Sequence, residues 1–275
     1  MKCLVLVMCC NQDFFLREEK KVRDTWAKDI LSNIYEDIDY FMYTASNNNT
    51  SYIDYENRII YISCDDSLHG TFEKTSKCFE LLEKEHILEK YDFIFRTNTS
   101  TYVNVSLLNE FLHSELIDNN LIYGGNVYCA KSACGPYNYS YYACGNSLLM
   151  PTKYLKLIRK NILDKYIKEY YNVVPNRKDV LNVDDNAIGF IINCFLEYKK
   201  NIYHKQIYRV YGNNYEDVSK INQYITTPLR IYNGNREDEF KLYNVLHTMY
   251  NKSTDVTNIY KIIKHSNNHF RVVTF

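Results

Sequence analysis

The residues best placed to do chemistry begin in the stretch YDFIFRTNTSTYVN, Tyr91 to Asn104. An apolar run at Phe93, Ile94 and Phe95 gives way to the small polar tripeptide Asn98-Thr99-Ser100, and apolar character returns at Tyr102 and Val103. A buried strand that ends in small polar side chains is how an open α/β sheet presents its ligand crevice, beyond the carboxyl ends of the strands. The second feature is the adjacent acid pair Asp184-Asp185 at the start of a predicted helix. Two acids there either cap the helix and favour its dipole or supply a carboxylate for proton transfer. The nine cysteines form neither a CxxC pair nor a zinc spacing and read as buried small hydrophobes. His204 and His247 stand alone in sequence, and an isolated His is most simply structural.

The elements that must position these groups alternate. Residues 2 to 8 read as a buried strand, and Phe14 to Ile34 as a helix with Val22, Trp26 and Ile30 four residues apart. Asp39 to Tyr43 and Arg58 to Ser63 are β-rich runs on either side of the polar SNNNTS loop at 46 to 51. Thr71 to Tyr91 returns to a helical stripe of Thr75, Phe79, Leu82 and Ile87, and the strand of Phe93 follows directly. This alternation predicts an α/β fold with a mostly parallel sheet and right-handed crossovers. Further on come a short helix from Val105, a strand at 121 to 125, and an irregular Tyr- and Cys-rich stretch from Tyr128 to Cys144. Helices follow near Thr152 to Tyr171 and Asp185 to Lys199, then strand-like IYRVY and LRIY runs, and two last helices near Arg236 to Tyr250 and Asp255 to His265.

At 275 residues the chain can bury a sizeable core. The 33 basic residues balance the 33 acidic ones, so bulk charge calls for neither nucleic acid nor an anionic membrane. No stretch approaches the ~20 apolar residues of a bilayer span. The opening MKCLVLVMCC resembles a weak signal sequence, but it is short, has no small-residue cleavage site and leads into a charged helix, so a first strand is the preferred reading. Sequons at Asn48, Asn98, Asn104, Asn138 and Asn251 would matter only in a secretory compartment, and a cytoplasmic location is the simpler expectation. The excess of Asn, Tyr, Ile and Lys points to an AT-rich genome.

Four segments, in order, carry a resemblance. Arg23, Thr25 and Trp26 sit in EKKVRDTWAKD; Asp66, Ser67, Lys74 and Thr75 in DDSLHGTFEKT; RTNTSTYVN is third; CGNSLLM at 144 to 150 with VDDNAIG at 183 to 189 is fourth. Together they resemble the β-1,3-galactosyltransferase and Fringe family of glycosyltransferases, over about Lys2 to Lys200. The resemblance implies a GT-A fold: a single domain with a nucleotide-sugar-binding half at 1 to 104, an acceptor and catalytic half at 105 to 200, and a C-terminal extension at 201 to 275. It implies inverting transfer of a sugar from a nucleotide-diphosphate sugar, UDP-linked, to a glycan hydroxyl. The product would be a surface glycan of a low-GC bacterium or a large virus, the protein lying in the host cytoplasm or virion if viral.

By the same resemblance Asp185 is the catalytic base, with Asp184 beside it. Arg23, Asp66, Lys74, Arg96, Asn98, Ser100 and Gly145 line the donor site, Gly145 giving the backbone room to approach the sugar. The family holds Mn²⁺ or Mg²⁺ on the third aspartate of a triplet. Here Asn98, Thr99 and Ser100 fill all three positions with neutral oxygens, which hard divalent ions bind far more weakly than carboxylates, so no metal is assigned. Arginine then has to neutralise the diphosphate, and Arg96, Arg209, Arg230 and Arg236 are the candidates. His204 and His247 would stand where the family has a metal-binding histidine. The tyrosines from Tyr137 to Tyr142 would stack on acceptor sugars. Two other readings stay open: a glycan- or nucleotide-binding pseudoenzyme that kept the fold, and an α/β nucleotide-binding protein of unrelated chemistry.

Overall fold

The computed structural model describes residues 1–32, 34–113, 123–130, 140–169, 181–196, 202–204, 209–211, 226–228, 244, 247 and 271–273. They fall into two compact units whose segments interleave: residues 1–11, 40–97 and 118–205 in the first, and 12–39, 98–117 and 206–275 in the second.

The first unit is built on an 8-stranded mixed sheet in the order β3-β4-β2-β1-β5-β8-β7-β9. The strands are β1 (Cys3–Met8), β2 (Ile38–Ala45), β3 (Tyr52–Asp54), β4 (Ile59–Ile62), β5 (Phe93–Asn98), β7 (Tyr123–Ala130), β8 (Ser140–Pro151) and β9 (Ile202–His204). β2 and β4 pair in parallel, as do β7 and β9, whereas β3 runs against β4 and β8 against both β5 and β7. The Cys9 amide donates to Tyr43 O where β1 and β2 end, and the Phe93 amide donates to Lys2 O where β5 and β1 begin. These bonds set β1 parallel to both neighbours, so only β3 and β8 oppose the common direction. The mostly parallel α/β sheet flanked by helices is as the sequence predicts. From β1 the chain builds outward to β2 and β4, then returns to the other side of β1 as β5. That reversal puts a topological switch point at the carboxyl ends of β1 and β5, where such sheets bind ligands.

Helices α3 (Thr71–Lys84), α5 (Lys160–Glu169) and α6 (Asp184–Leu196) pack with this sheet, α6 against β8, α3 and α5. The core joins Leu4 and Leu6 of β1, Tyr43 of β2, Ile60 and Ile62 of β4, Phe72 and Phe79 of α3, Leu148 and Met150 of β8, and Ile188 to Ile192 of α6. Cys78 and Cys194 fill gaps in it as small apolar side chains.

The second unit holds α1 (Asp13–Asp24), α2 (Trp26–Leu31) and α4 (Val105–Leu112), with the antiparallel pairs β6 (Thr101–Val103) with β11 (Thr226–Pro228) and β10 (Arg209–Tyr211) with β12 (Arg271–Val273). Asn104 caps α4, its Oδ1 accepting the Leu107 amide at 3.1 Å. Among the described residues no helix is long and apolar enough to cross a membrane.

Several expectations change. The helix read from Phe14 to Ile34 breaks at Thr25, where the backbone leaves the helical region and the hydroxyl donates back to Lys21 O at 2.6 Å. The helix from Thr71 ends at Lys84, and His86 takes a left-handed turn at φ 56° before a short 3₁₀ segment at Leu88–Lys90. Thr152–Leu157 is likewise 3₁₀. The stretch from Tyr128 to Cys144, expected to be irregular, carries the end of β7 and the start of β8. β3 was not expected at all. The LRIY strand, the helix at 255 to 265 and most of that at 236 to 250 lie outside the described residues.

Candidate active site

α3 organises the site by pointing consecutive residues two ways. The Lys74 ammonium, 1% exposed, bridges the carboxylate of Asp66 and Cys9 O, the latter at 3.1 Å. Asp66 Oδ2 in turn accepts the Asn11 amide at 2.8 Å. The Asn11 side chain donates to Ala45 O at 2.7 Å and accepts from Thr44 Oγ1 at 3.3 Å. Residues just past the ends of β1, β2 and β4 are thus tied together around one buried cation. Asn11 carries no sequence motif, and only its place one turn beyond an apolar strand could have flagged it.

Thr75 points the other way. Its hydroxyl donates to Asp184 Oδ2 at 3.3 Å and meets the Tyr43 hydroxyl at 3.0 Å. Arg96, on β5 and 1% exposed, donates through Nε to Tyr43 OH at 3.1 Å and through a terminal nitrogen to Asp184 Oδ2 at 2.5 Å. The donor inventory fixes the proton directions. Arginine only donates and a carboxylate only accepts, so Tyr43 gives its proton to Thr75 and Thr75 gives its own to Asp184. A closed ring of Arg96, Tyr43, Thr75 and Asp184 results, with Asp184 as the ionised acceptor. Burial pushes the Tyr43 phenol above its ordinary value, although Arg96 pulls it down. Burial works against the charge of Arg96, but Asp184 and Tyr43 outweigh it and hold its pKa above the usual arginine value.

Arg96 also donates to Gly145 O on β8. A Cβ at Gly145 would collide with the guanidinium, which is why glycine stands there. Gly145→Ala should cost about 1–3 kcal/mol through overpacking, measured by denaturant unfolding; an unchanged midpoint would show that the guanidinium can move aside.

Asp185 is half-buried at the first turn of α6. Its Oδ1 accepts the Asn186 amide at 2.8 Å and Asn186 Nδ2 at 3.1 Å, and the Gly145 backbone also bonds it. The Asp184 amide goes to Thr71 Oγ1 at 3.2 Å, so α6 is capped by a hydroxyl from α3 and not by the carboxylate of Asp184. Burial first, then the like charge of Asp184, lift the Asp185 carboxyl from 3.8 to about 6 against the pull of Arg96 and the two backbone bonds. The two adjacent acids therefore differ: Asp184 is neutralised by a cation, and Asp185 has no salt bridge among the described residues.

The sequence-predicted residues divide accordingly. Asp66 meets Lys74, and Arg96 and Gly145 meet the acid pair. The Arg96 guanidinium is engaged by Asp184, Tyr43 and Gly145, and Gly145 packs directly against it. Lys74 is likewise engaged by an internal carboxylate. Arg23 belongs to the second unit, where it pairs with Glu19 at 3.0 Å across one helical turn. Asn98 and Ser100 also fall in the second unit. Asn98 Oδ1 accepts from Ser100 Oγ at 2.9 Å and Thr101 Oγ1 at 2.8 Å, and Thr99 Oγ1 donates to Glu18 Oε2 at 2.8 Å. Asn98 Oδ1 is taken up by two hydrogen bonds within the turn, and the remaining hydroxyls are neutral oxygens, a poor donor set for a hard divalent cation. His247 faces Tyr102 OH at 3.2 Å and Asp29 at 3.6 Å. The side chains of His204 and Arg209, and Arg230 and Arg236 altogether, lie outside the described residues, as do Tyr137 to Tyr139.

No family model and no curated protein matches the sequence. Among solved structures, the chain is similar to a glycosyltransferase involved in the glycosylation of the major capsid of PBCV-1, at 11% identity and a TM-score of 0.38, over 66% of this chain and 74% of that one. The functional argument therefore rests on the site itself.

Proposed function

We propose that the chain is an inverting GT-A-type glycosyltransferase of the β-1,3-galactosyltransferase and Fringe kind, taking a sugar from a nucleotide-diphosphate donor, UDP-linked, to a glycan hydroxyl. The observation that carries the reading is the division of labour between two neighbouring acids near the switch point, with Asp184 held by Arg96 and Asp185 poised near neutrality. A base works best with a pKa close to the operating pH. Asp185 takes the proton of the acceptor hydroxyl as its oxygen attacks the anomeric carbon. The bond from that carbon to the diphosphate breaks on the opposite face, and its electron pair leaves with the nucleotide. The polar ends of β1, β2 and β4, with Asn11 and Asp66, form the nucleotide side. Arg96 and Lys74 already have internal partners, so the leaving charge needs a cation other than these two. No step is routed through a metal.

UDP should raise the melting temperature. At a hundredfold excess over Kd the stabilisation is about 2.7 kcal/mol, or several degrees for a chain of this size. Asp185→Asn should keep that shift while losing transfer. If UDP, GDP and CMP all leave the melting temperature unchanged, the donor assignment fails.

The internally satisfied Asn98-Thr99-Ser100 turn favours one second reading, a pseudoenzyme that binds a nucleotide or glycan without turnover. Incubating UDP-sugars with the purified protein in EDTA separates the two. Turnover under chelation supports the enzyme, and nucleotide binding without turnover over a broad donor and acceptor panel supports the pseudoenzyme.

A further inference from the structure

The ring around Arg96 includes Asp184 of the acid pair and, with the guanidinium's other contacts, reaches into four strands and two helices. The guanidinium touches Met8 Sδ of β1 at 3.1 Å, Tyr43 of β2, Gly145 of β8 and Asp184 of α6 from its own place on β5. Gly145 is bonded on both sides: its carbonyl accepts from Arg96, and its backbone bonds Asp185. Asp184 is bonded three ways, by Arg96, by Thr75 and through its amide by Thr71. Both routes lead from one buried cation to the first turn of α6.

We propose that Arg96 and Asp184 are positioning residues for Asp185: their closed ring fixes the first turn of α6 and the Gly145 backbone, and leaves Asp185 as the acid of the pair that exchanges a proton. The meaning of this inference rests on Asp185 being the base proposed above. A ring with every donor and acceptor satisfied has one arrangement, so the carboxylate it supports has one as well. Among the described residues, the ionisable groups around Asp185 are Asp184 on its own helix, Arg96 from β5 and, behind Arg96, Tyr43 from β2; α3 presents the neutral hydroxyls of Thr71 and Thr75. Asp184 is the largest charged influence on Asp185, ahead of Arg96. Its negative charge favours the protonated form of Asp185.

The test needs neither donor nor acceptor. The intact chain is labelled with ¹³C at aspartate carboxyls, and the Asp185 resonance is assigned by its loss in Asp185→Asn. Its pH titration is then compared in wild type, in Asp184→Asn, and in the double variant Arg96→Gln/Asp184→Asn. The double variant removes both charges together and guards against a single variant that fails to fold. The expected result is a wild-type midpoint near 6 that moves down toward ordinary aspartate in each folded variant, because each removes the dominant like charge. Midpoints that superimpose on wild type, or a wild-type Asp185 that titrates as an ordinary aspartate, would overturn the proposal and leave the ring a purely structural brace. Nucleotide stabilisation tests the transferase reading separately, so either idea can fail while the other stands.

Discussion

Asp185→Asn is expected to lower transfer by roughly 100-fold to 10,000-fold, the usual worth of a positioned general base. The substitution keeps the shape and can still accept the Asn186 amide, so the loss should lie in turnover and not in folding. Wild-type activity should follow the ionised carboxylate: below a pH of about 6 it falls about tenfold per pH unit, and above it levels off. The same carboxyl makes a stability prediction of opposite sense. Folding raises its pKa from 3.8 to about 6, so between those values the native state holds a proton that the unfolded chain has released. Stability from this group therefore falls as pH rises through that window, and the full cost, roughly 3 kcal/mol at 1.36 kcal/mol per pH unit, is present above it. Asp185→Asn removes the ionisable group, so it should melt higher than wild type at pH 8 and lose that advantage at pH 4. Thermal unfolding at the two pH values checks this. A variant less stable than wild type at both would show that Asp185 serves chiefly as a cap for α6.

How much of this was legible in the sequence differs from element to element. The strands β1 and β5 were readable because an interior strand of a parallel sheet is apolar on both faces and shows as a continuous run. The stripe of Thr75, Phe79 and Leu82 gave α3, and all three are buried. β3 escaped because three residues on a sheet edge carry no pattern, and β8 because Cys144, Gly145 and Asn146 interrupt its alternation. The acid pair was found, but the ring behind it was not. Thr75 and Asp184 are 109 positions apart, and Arg96 and Tyr43 are 53 apart, and neither residue type nor local spacing encodes such meetings. Arg96 reads from the sequence as a phosphate ligand because it stands beside the Asn98-Thr99-Ser100 turn, where neutral residues leave the diphosphate in need of a cation. With both faces of β5 covered, it faces the core, and only the fold supplies the carboxylate that makes this tolerable.

Removing one member of the Arg96–Asp184 pair should be among the most destabilising changes available to this chain, and removing both should be milder. Two charges taken out of water attract each other strongly in the interior, but that attraction mainly offsets their lost hydration. Arg96→Met leaves the Asp184 carboxylate buried, the residue at 3% exposure, with the Thr75 hydroxyl still donating to it, and Asp184→Leu leaves the guanidinium among Tyr43, Gly145 and Met8. Each single substitution is expected to cost about 3–5 kcal/mol, the penalty of an uncompensated buried charge. Arg96→Met/Asp184→Leu strands neither charge, so it should fall well short of the sum. Urea unfolding of all four proteins closes the cycle, because residues in direct contact show their interaction as the departure from additivity. A strongly favourable coupling places the ion pair inside the folded core, where it can hold α6 against β5 and β8. Additive losses would mean that water screens the two groups, and the rigid backing required of Asp185 as a base would not exist.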